Sequence, residues 1–332
     1  MARILVEARR DTNVKPTLDA LAECCTDLGH DVLRWRGPLS GRVPHSRRLR
    51  KCDLAIIWNG IHHKYRPFVR RLRDQNIPML FAELGWFPQK QTFQVDPQGV
   101  NAASSWCTDP LAVPAMTAAD DAKSDQVYGN GSGDLLVILQ DDGDTNIEQF
   151  SPWFQDMFSF VTFLAENSVL PLRVRAHPSH EPDQRLTEWL AANPQNIVGA
   201  PVIWDSAETL SQSLDDCSAL ACVNSSSGIE AMYRGVPVLC YGQAVYRHSG
   251  VVNCLTNDAQ ETQSATTQIS SGRVSSSAGA IQLFLRRLEQ KQWRNEEIPK
   301  RLPKLIEAQL SQRVVPEKPT FFHRVFGRSR AA

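Results

Sequence analysis

The stretch "CVNSSSGIEAMYRGVPVLCYG", Cys222–Gly242, carries the clearest sign of the fold. The apolar run that leads into it, "SALACVN", predicts a strand, and "GIEAMYRG" has the periodicity of a short helix. Gly235 fits the position just after a helix end, and "VPVLCYG" reads as a second strand. A strand, a turn, a helix and a strand in this order predict one crossover unit of a parallel sheet.

The same alternation of strands and helices occurs in two blocks. Between them, from about Thr108 to Gly133, the chain is rich in Ala, Asp, Pro, Gly and Ser, which is typical of a linker. We therefore predict an α/β protein with two Rossmann-like, doubly wound parallel-sheet domains that face a cleft. The N-terminal domain is expected over 1–125, the C-terminal domain over 134–290, and a helix with a basic tail over 291–332.

Composition limits the class of protein. The chain has 332 residues, 42% of them hydrophobic, which predicts a globular protein rather than a disordered one. Lys plus Arg and Asp plus Glu both number 36, so net charge indicates no partner, and nucleic acid is not expected. The Ser/Thr/Gln-rich stretch over 257–277 is interpreted as a polar loop.

Localisation is predicted from what the sequence does not contain. It has no signal-peptide pattern and no apolar run of eighteen residues, and its eight cysteines are scattered, so we predict a cytoplasmic protein. Two basic stretches, Ser46–Lys51 and Arg66–Arg73, fit solvated helix faces or, alternatively, a patch that faces an anionic acceptor or membrane. The basic, aromatic C-terminal stretch "FFHRVFGRSRAA" fits a frayed tail or a peripheral contact at the inner face of a membrane.

Candidate site residues follow the predicted strands, because ligands bind parallel sheets at the carboxyl ends of their strands. The turn at Ser225, Ser226, Ser227 and Gly228 offers hydroxyls and backbone N–H groups to a phosphate. Glu230, in the first turn of the next helix, can offset the helix dipole or accept hydrogen bonds from ribose hydroxyls.

Further candidates follow other strands. His177, after "LPLRVR", can bind a phosphate, act as an acid or base, or be structural. Asp141, Asp142 and Asp144 follow "LLVILQ", and one of these carboxylates is a candidate nucleophile or base. Glu83 should face the cleft from the opposite domain. No spacing of acidic residues or cysteines predicts a metal site.

Four blocks of this sequence resemble, in order, those of the bacterial capsule polysaccharide biosynthesis family. They are "ELGWFPQKQTFQVDPQGVNAASS", "LQDDGDTNI", "RAHP" and "NSSSGIEAMYRGVPVLCYG". The family includes transferases of Kdo, a keto-deoxy-octulosonate sugar acid, that use CMP-Kdo. The resemblance implies a GT-B-type fold whose C-terminal domain holds the donor nucleotide.

The resemblance also implies roles. His177 and the turn from Ser225 to Gly228 would bind the donor phosphate, with Glu230 near the ribose. Asp144 best matches the aspartate that attacks the sugar in similar retaining enzymes, and Glu83 would be a general acid or base. Two positions depart from the family pattern, Ala176 before His-Pro and Val236 before Pro-Val, and they concern donor identity more than fold.

The expected function is therefore a glycosyltransferase that moves a sugar from a nucleotide donor to a surface or capsular polysaccharide or glycolipid. Kdo from CMP-Kdo is one candidate donor, and neither a metal nor another cofactor is expected. A CDP-polyol phosphotransferase and a non-catalytic protein that binds a nucleotide or glycan are the alternatives. The sequence leaves open the sugar, the acceptor, the linkage and the oligomeric state.

Overall fold

Two six-stranded sheets form the framework of the computed structural model, which describes residues 1–37, 49, 51–108, 133–274 and 276–312. The first sheet has the order β12-β5-β4-β3-β1-β2. Its strands β1 to β4 are mutually parallel, whereas β5 and β12 run antiparallel to their neighbours. The strands are β1 (Arg3–Ala8), β2 (Asp31–Arg36), β3 (Leu54–Trp58), β4 (Met79–Leu84), β5 (Phe93–Asp96) and β12 (Gln292–Trp293).

The second sheet is parallel throughout its described strands and has the order β11-β10-β9-β6-β7-β8. Its strands are β6 (Leu135–Ile138), β7 (Leu172–Arg175), β8 (Val202–Trp204), β9 (Ala219–Cys222), β10 (Val238–Cys240) and β11 (Asn253–Cys254). All residues of the central strands β6 and β9 are buried, as expected for strands covered by helices on both faces. The predicted pair of Rossmann-like sheets is therefore confirmed.

Helices connect the parallel strands. They are α1 (Lys15–Asp27), α2 (Arg66–Asp74), α3 (Ser105–Thr108), α4 (Thr145–Phe150), α5 (Met157–Asn167), α6 (Gln184–Ala191), α7 (Leu210–Asp216), α8 (Ser227–Tyr233), α9 (Ala259–Ser270), α10 (Ala278–Lys291) and α11 (Ile298–Ser311). Single turns of 3-10 helix occur at His63–Tyr65, Gln89–Gln91, Asn101–Ala103 and Asn295–Glu297. Gly235 follows α8 with φ of +71°, which confirms the helix end predicted there.

The stretch over 257–277 corrects the sequence interpretation, because it contains the helix α9 rather than a polar loop. Asp258 caps the helix, its carboxylate accepting a hydrogen bond from the Glu261 N–H at 2.9 Å. The buried face consists of Thr262, Ala265, Thr266 and Ile269, which have helical spacing. Two of these four are threonines, so the apolar periodicity was too weak to predict the helix.

The C-terminal segment returns to the first sheet. Strand β12 pairs with β5, and α11 packs against α1, where Ile298, Leu302 and Ile306 join the same apolar core as Leu18 and Leu21. Burying these side chains stabilises the first sheet with residues that are almost 300 positions away in the sequence. This return was not predicted.

Several sequence-based expectations concern residues outside the described part. They include most of the predicted linker, the basic tail after Gln312, and most of the stretch Ser46–Lys51. Within the described ranges, no helix is both long and apolar enough to cross a bilayer.

Candidate functional site

A cleft of about 260 Å³ lies where the carboxyl ends of strands from both sheets meet. From the first sheet, Asn59 follows β3 and Glu83 lies near the end of β4. From the second sheet, Gln140 follows β6, His177 follows β7 and Asn224 follows β9. Because these strands are parallel to their neighbours in each sheet, their carboxyl ends lie at one edge of that sheet, which is the usual ligand-binding edge of such folds.

Glu83 faces the cleft from the first sheet and is held by two hydrogen bonds. Its Oε2 accepts from the Asn59 amide at 2.8 Å, and its Oε1 accepts from the Leu84 N–H at 2.9 Å. Burial raises the pKa of Glu83 above its ordinary value, and the nearby Asp144 charge raises it further, although both hydrogen bonds and Arg9 oppose the shift. Glu83 is therefore suited to accept a proton at a pH closer to neutral than an exposed glutamate.

The three candidate aspartates after β6 have different surroundings. Asp141 and Asp144 line the cleft, whereas the Asp142 carboxylate accepts from the Met157 N–H at 2.8 Å, at the start of α5. Asp144 caps α4, where its Oδ1 accepts from the Asn146 N–H at 3.1 Å. The cap holds the Asp144 carboxylate at the wall of the cleft and leaves it able to interact with the charge of Glu83.

His177 lies on the second-sheet side of the same cleft. Its Nδ1 accepts from the Ser179 N–H at 3.3 Å and lies 2.9 Å from Nδ1 of His180. Burial lowers the pKa of His177, the His180 charge lowers it further, and Asp141 and Asp144 act in the opposite direction. The neutral imidazole, which can donate from Nε2, is thus favoured at neutral pH.

Only part of the serine turn lines the cleft. Ser225 and Ser226 are among the described residues that line the cleft, whereas Ser227, Gly228 and Glu230 are not. The Ser225 hydroxyl accepts from the Ser227 N–H at 3.2 Å, so the turn is stabilised internally. A Cβ at Gly228 would lie 2.8 Å from the Tyr246 ring, so glycine allows close packing there.

A chain of side-chain amides, not found by sequence reasoning, connects the two sheets across the cleft. Gln94 donates to the Asn101 side chain at 2.8 Å, Asn101 donates to the Asn146 side chain at 2.9 Å, and Asn224 donates to the backbone carbonyl of Asn146 at 3.0 Å. Gln140 completes the chain by donating to Asn224 at 2.8 Å. The sequence signal was that two of these amides, Gln140 and Asn224, follow the ends of strands, which does not reveal how the amides pair.

The electrostatic character of the cleft is set by a few titratable groups. Glu83, Asp141, Asp144 and His177 line it, and the lining residues that the structure describes include neither Lys nor Arg. Within the described ranges, His, Cys, Asp and Glu side chains form no cluster that could hold a metal ion. An anionic group in the cleft can therefore be bound by neutral hydrogen-bond donors. The hydroxyls of a sugar can donate to the carboxylates that line the cleft.

Comparisons with known proteins agree with this architecture. The structure is similar to that of KpsC from Thermosulfurimonas dismutans, a beta Kdo 2,7 transferase. The two chains are 12% identical, the TM-score is 0.51, and the match covers 88% of this chain and 100% of the other. A second structure from the same organism, the KpsC beta Kdo 2,4 transferase, is 15% identical over 85% of this chain and 89% of that chain, with a TM-score of 0.49. The likeness to the 2,7 transferase shows that the two-sheet arrangement is the GT-B-type fold.

A sequence relative is Protein FixF of Sinorhizobium fredii, which is 23% identical over 229 residues. The match covers 60% of this chain, which spans only 50% of the length of that relative. The model of a protein family described as capsule polysaccharide biosynthesis protein matches residues 116–286, slightly more than half of the chain. On this match and the shared fold, the chain belongs to the capsule polysaccharide biosynthesis family.

Proposed function

We propose that this protein is a glycosyltransferase that moves a sugar from a nucleotide donor to a glycan or glycolipid acceptor of a surface polysaccharide. Kdo from CMP-Kdo is the first donor to test, and in this proposal no further cofactor takes part. The observation that carries the proposal is that Glu83 of one sheet meets Asp144 and His177 of the other in one cleft. Family membership supports the same reaction class.

On the donor side, the proposed phosphate ligands are the His177 imidazole and the hydroxyls of Ser225 and Ser226. A neutral imidazole that donates from Nε2 can stabilise the negative charge that develops on the departing phosphate. Helix α8 has only seven residues, from Ser227 to Tyr233, so the side chains are proposed to contribute more than the helix dipole. Glu230 lies outside the cleft wall and remains a candidate for the ribose contact.

On the sugar side, Asp144 is the proposed nucleophile. Its carboxylate attacks the anomeric carbon while the bond from that carbon to the phosphate oxygen breaks, which releases the nucleotide and leaves a glycosyl ester on Asp144. The acceptor hydroxyl then transfers its proton to Glu83 and attacks the same carbon, and the ester bond breaks. Two displacements retain the anomeric configuration.

The first test of the proposal is ligand binding. The ligands to add are CMP-Kdo and the nucleotides CMP, CDP, UDP and GDP with their sugars. One nucleotide class should raise the melting temperature of the protein, because a ligand that binds only the folded state stabilises it. The absence of a shift with every nucleotide would contradict the proposed donor site.

The second test separates catalysis from binding. Asp144→Asn should abolish transfer, with a loss of about 10³-fold or more, while nucleotide binding persists. The matched control is Asp142→Asn, because Asp142 lies two positions away and contacts the Met157 N–H instead of the cleft. If the wild-type protein binds a nucleotide but transfers no sugar with every donor and acceptor tested, the non-catalytic alternative is favoured. Full activity of Asp144→Asn would exclude Asp144 as the nucleophile.

A further inference from the structure

Beside the cleft, His177, His180 and Asp141 form a hydrogen-bonded row. Nδ1 of His180 lies 2.9 Å from Nδ1 of His177, and Nε2 of His180 lies 3.2 Å from Oδ2 of Asp141. His177 and Asp141 line the cleft, while His180 stands behind them and is half exposed, with 49% of its side chain accessible. The proposed function uses His177 and leaves the other two residues without a role.

The hydrogen-bond donors in this row can be assigned from the contacts. A backbone N–H always donates, so Nδ1 of His177, which receives the Ser179 N–H at 3.3 Å, carries a lone pair and no proton. Nδ1 of His180 must then supply the proton of the contact between the two rings. The Asp141 carboxylate only accepts when ionised, so Nε2 of His180 must also carry a proton to bond it.

Both contacts of His180 are therefore made when its ring is doubly protonated. His177, in contrast, carries its single proton on Nε2, the ring nitrogen that these contacts leave for a ligand in the cleft. A histidine whose second nitrogen is held by a fixed partner has a defined tautomer and ring orientation. The row thus places a neutral donor toward the cleft and a protonated ring directly behind it.

We propose that His180 is a positioning residue that fixes the tautomer of His177 and supplies it with a proton during transfer. This inference rests on the proposed function of the cleft. As the Nε2 proton of His177 passes to an oxygen of the departing phosphate, the Nδ1 proton of His180 passes to Nδ1 of His177. One proton reaches the phosphate, His177 stays neutral with its proton on the other nitrogen, and His180 becomes neutral while still donating to Asp141.

The charged groups around the row act in the direction that this transfer requires. Asp141 faces both histidines, and the Asp144 charge also acts on His177. Burial and the His180 charge both lower the pKa of His177, so a second proton on His177 is disfavoured while His180 holds one.

The experiment that reads this arrangement directly is nitrogen NMR of the full-length protein labelled with ¹⁵N-histidine, recorded from pH 5.5 to 8.5. The expected result is a neutral, Nε2-protonated His177 at pH 7, with a proton on Nδ1 of His180 directed at Nδ1 of His177. His180→Asn keeps an N–H donor near Nδ1 of His177 and should preserve that tautomer. His180→Phe removes the donor, so a population protonated at Nδ1 should appear and the pKa of His177 should rise.

A kinetic arm then tests proton supply. Both His180 variants should lower kcat by about tenfold or more with the donor KM nearly unchanged, because neither side chain can deliver a proton. Asp141→Asn provides a second variant, and it should change the ¹⁵N signal of Nε2 of His180, because that nitrogen contacts the Asp141 carboxylate at 3.2 Å. The matched control is His63→Gln, since His63 is also 49% accessible and lies 3.1 Å from a carboxylate, that of Glu148, outside the row.

The outcomes separate this inference from the proposed function. The role of His180 would be overturned if His177 were protonated at Nδ1 in the wild-type protein. It would also be overturned if His180→Phe left both the His177 spectrum and kcat unchanged. A loss of kcat in His63→Gln as large as in His180→Phe would also overturn it, because the effect would not depend on the row. Failure of every nucleotide to bind, with the NMR results as expected, would instead refute the proposed function.

Discussion

Glu83 shows at the scale of one residue how the fold adjusts a carboxylate. The end of β4 is a partly buried position, where an ionised carboxylate loses solvation, and the Asn59 amide and the Leu84 N–H recover part of that loss. Arg9, which donates to the buried Glu7 at 3.0 Å, adds a positive charge behind the site. The result is a carboxylate whose raised pKa favours proton exchange with a hydroxyl group.

The first prediction concerns Glu83→Gln. Glutamine fills the same space but cannot accept the proton of an acceptor hydroxyl, so kcat should fall by about 10²- to 10⁴-fold while the donor still binds. In the wild-type protein only the ionised carboxylate acts as base, so kcat should fall as pH drops through the raised pKa of Glu83. Steady-state rates between pH 5 and 8 measure both effects.

The control for that prediction is Glu289→Gln, because the Glu289 carboxylate accepts from the Tyr233 hydroxyl at 2.9 Å, away from the cleft. It should retain wild-type rates and the same pH profile. An acid limb that persists in Glu83→Gln would assign the titration to another group and remove Glu83 from the role of base.

Residue type and position did not predict which of the aspartates after β6 faces the cleft. Asp141, Asp142 and Asp144 follow the same strand within four positions, and residue type alone does not distinguish their roles. The distinction comes from a turn in which the Asp144 N–H donates to the Asp141 carbonyl at 2.9 Å, which sends the Asp142 carboxylate toward Met157. Backbone dihedral angles of a glycine-containing turn decide this, and the sequence does not determine them uniquely.

At the scale of elements, apolar runs predicted β1 to β4 of the first sheet and β6, β7, β9 and β10 of the second, because buried parallel strands are continuous apolar runs. The strands β5, β8, β11 and β12, which have two to four residues each, were not predicted. The same method missed α9, whose buried face includes two threonines. Thr266 donates to the Thr262 carbonyl at 2.9 Å, and the Thr262 and Tyr241 hydroxyls lie 3.1 Å apart, so both polar groups are satisfied inside the core. Threonines bonded in this way behave as buried helix residues although their polarity indicates a loop.

The second prediction tests whether α9 is part of the core. Ile269→Ala should lower the free energy of unfolding by about 2–5 kcal/mol, because Ile269 is 4% exposed and its truncation leaves a cavity. Ser264→Ala, on the exposed face of the same helix, should be neutral or slightly stabilising. Chemical denaturation monitored by circular dichroism gives both values, and equal stability of the two variants would contradict burial of this helix.

For the whole molecule, the contacts that unite the halves involve residues far apart in the sequence. The side-chain amide oxygen of Gln292 accepts from the Trp86 and Phe87 N–H groups at 3.1 and 3.2 Å, which ties the return of the chain to the loop after Glu83. The Asn101 side chain bonds Asn146 across the cleft. Local periodicity and turn signals contain no information on such pairings, which explains why the sheets were predicted but their connection was not.

The third prediction concerns the bridge between the halves. Asn101 has φ of +53°, a conformation that glycine adopts without strain. Asn101→Gly therefore removes the side chain without straining the backbone of the folded protein. The variant loses the hydrogen bond to Asn146, which is worth about 1 kcal/mol, and the one accepted from Gln94. Because Asn146 also contacts Asp144, kcat/KM should fall by about fivefold or more, and amide exchange should accelerate in α4.

The matched control is Asn193→Gly, since Asn193 has φ of +55° and is exposed far from the cleft walls. It reproduces the gain in backbone freedom without the loss of the bridge, so its activity and its exchange in α4 should equal those of the wild type. Hydrogen exchange measured by mass spectrometry, with and without a nucleotide that binds, distinguishes the two variants. If Asn101→Gly and Asn193→Gly give the same exchange in α4, then the Asn101 side chain does not couple the halves. The alternative outcome is faster exchange in α4 of Asn101→Gly alone, which a bound nucleotide slows again. That result would show that the amide chain and the donor both stabilise the cleft.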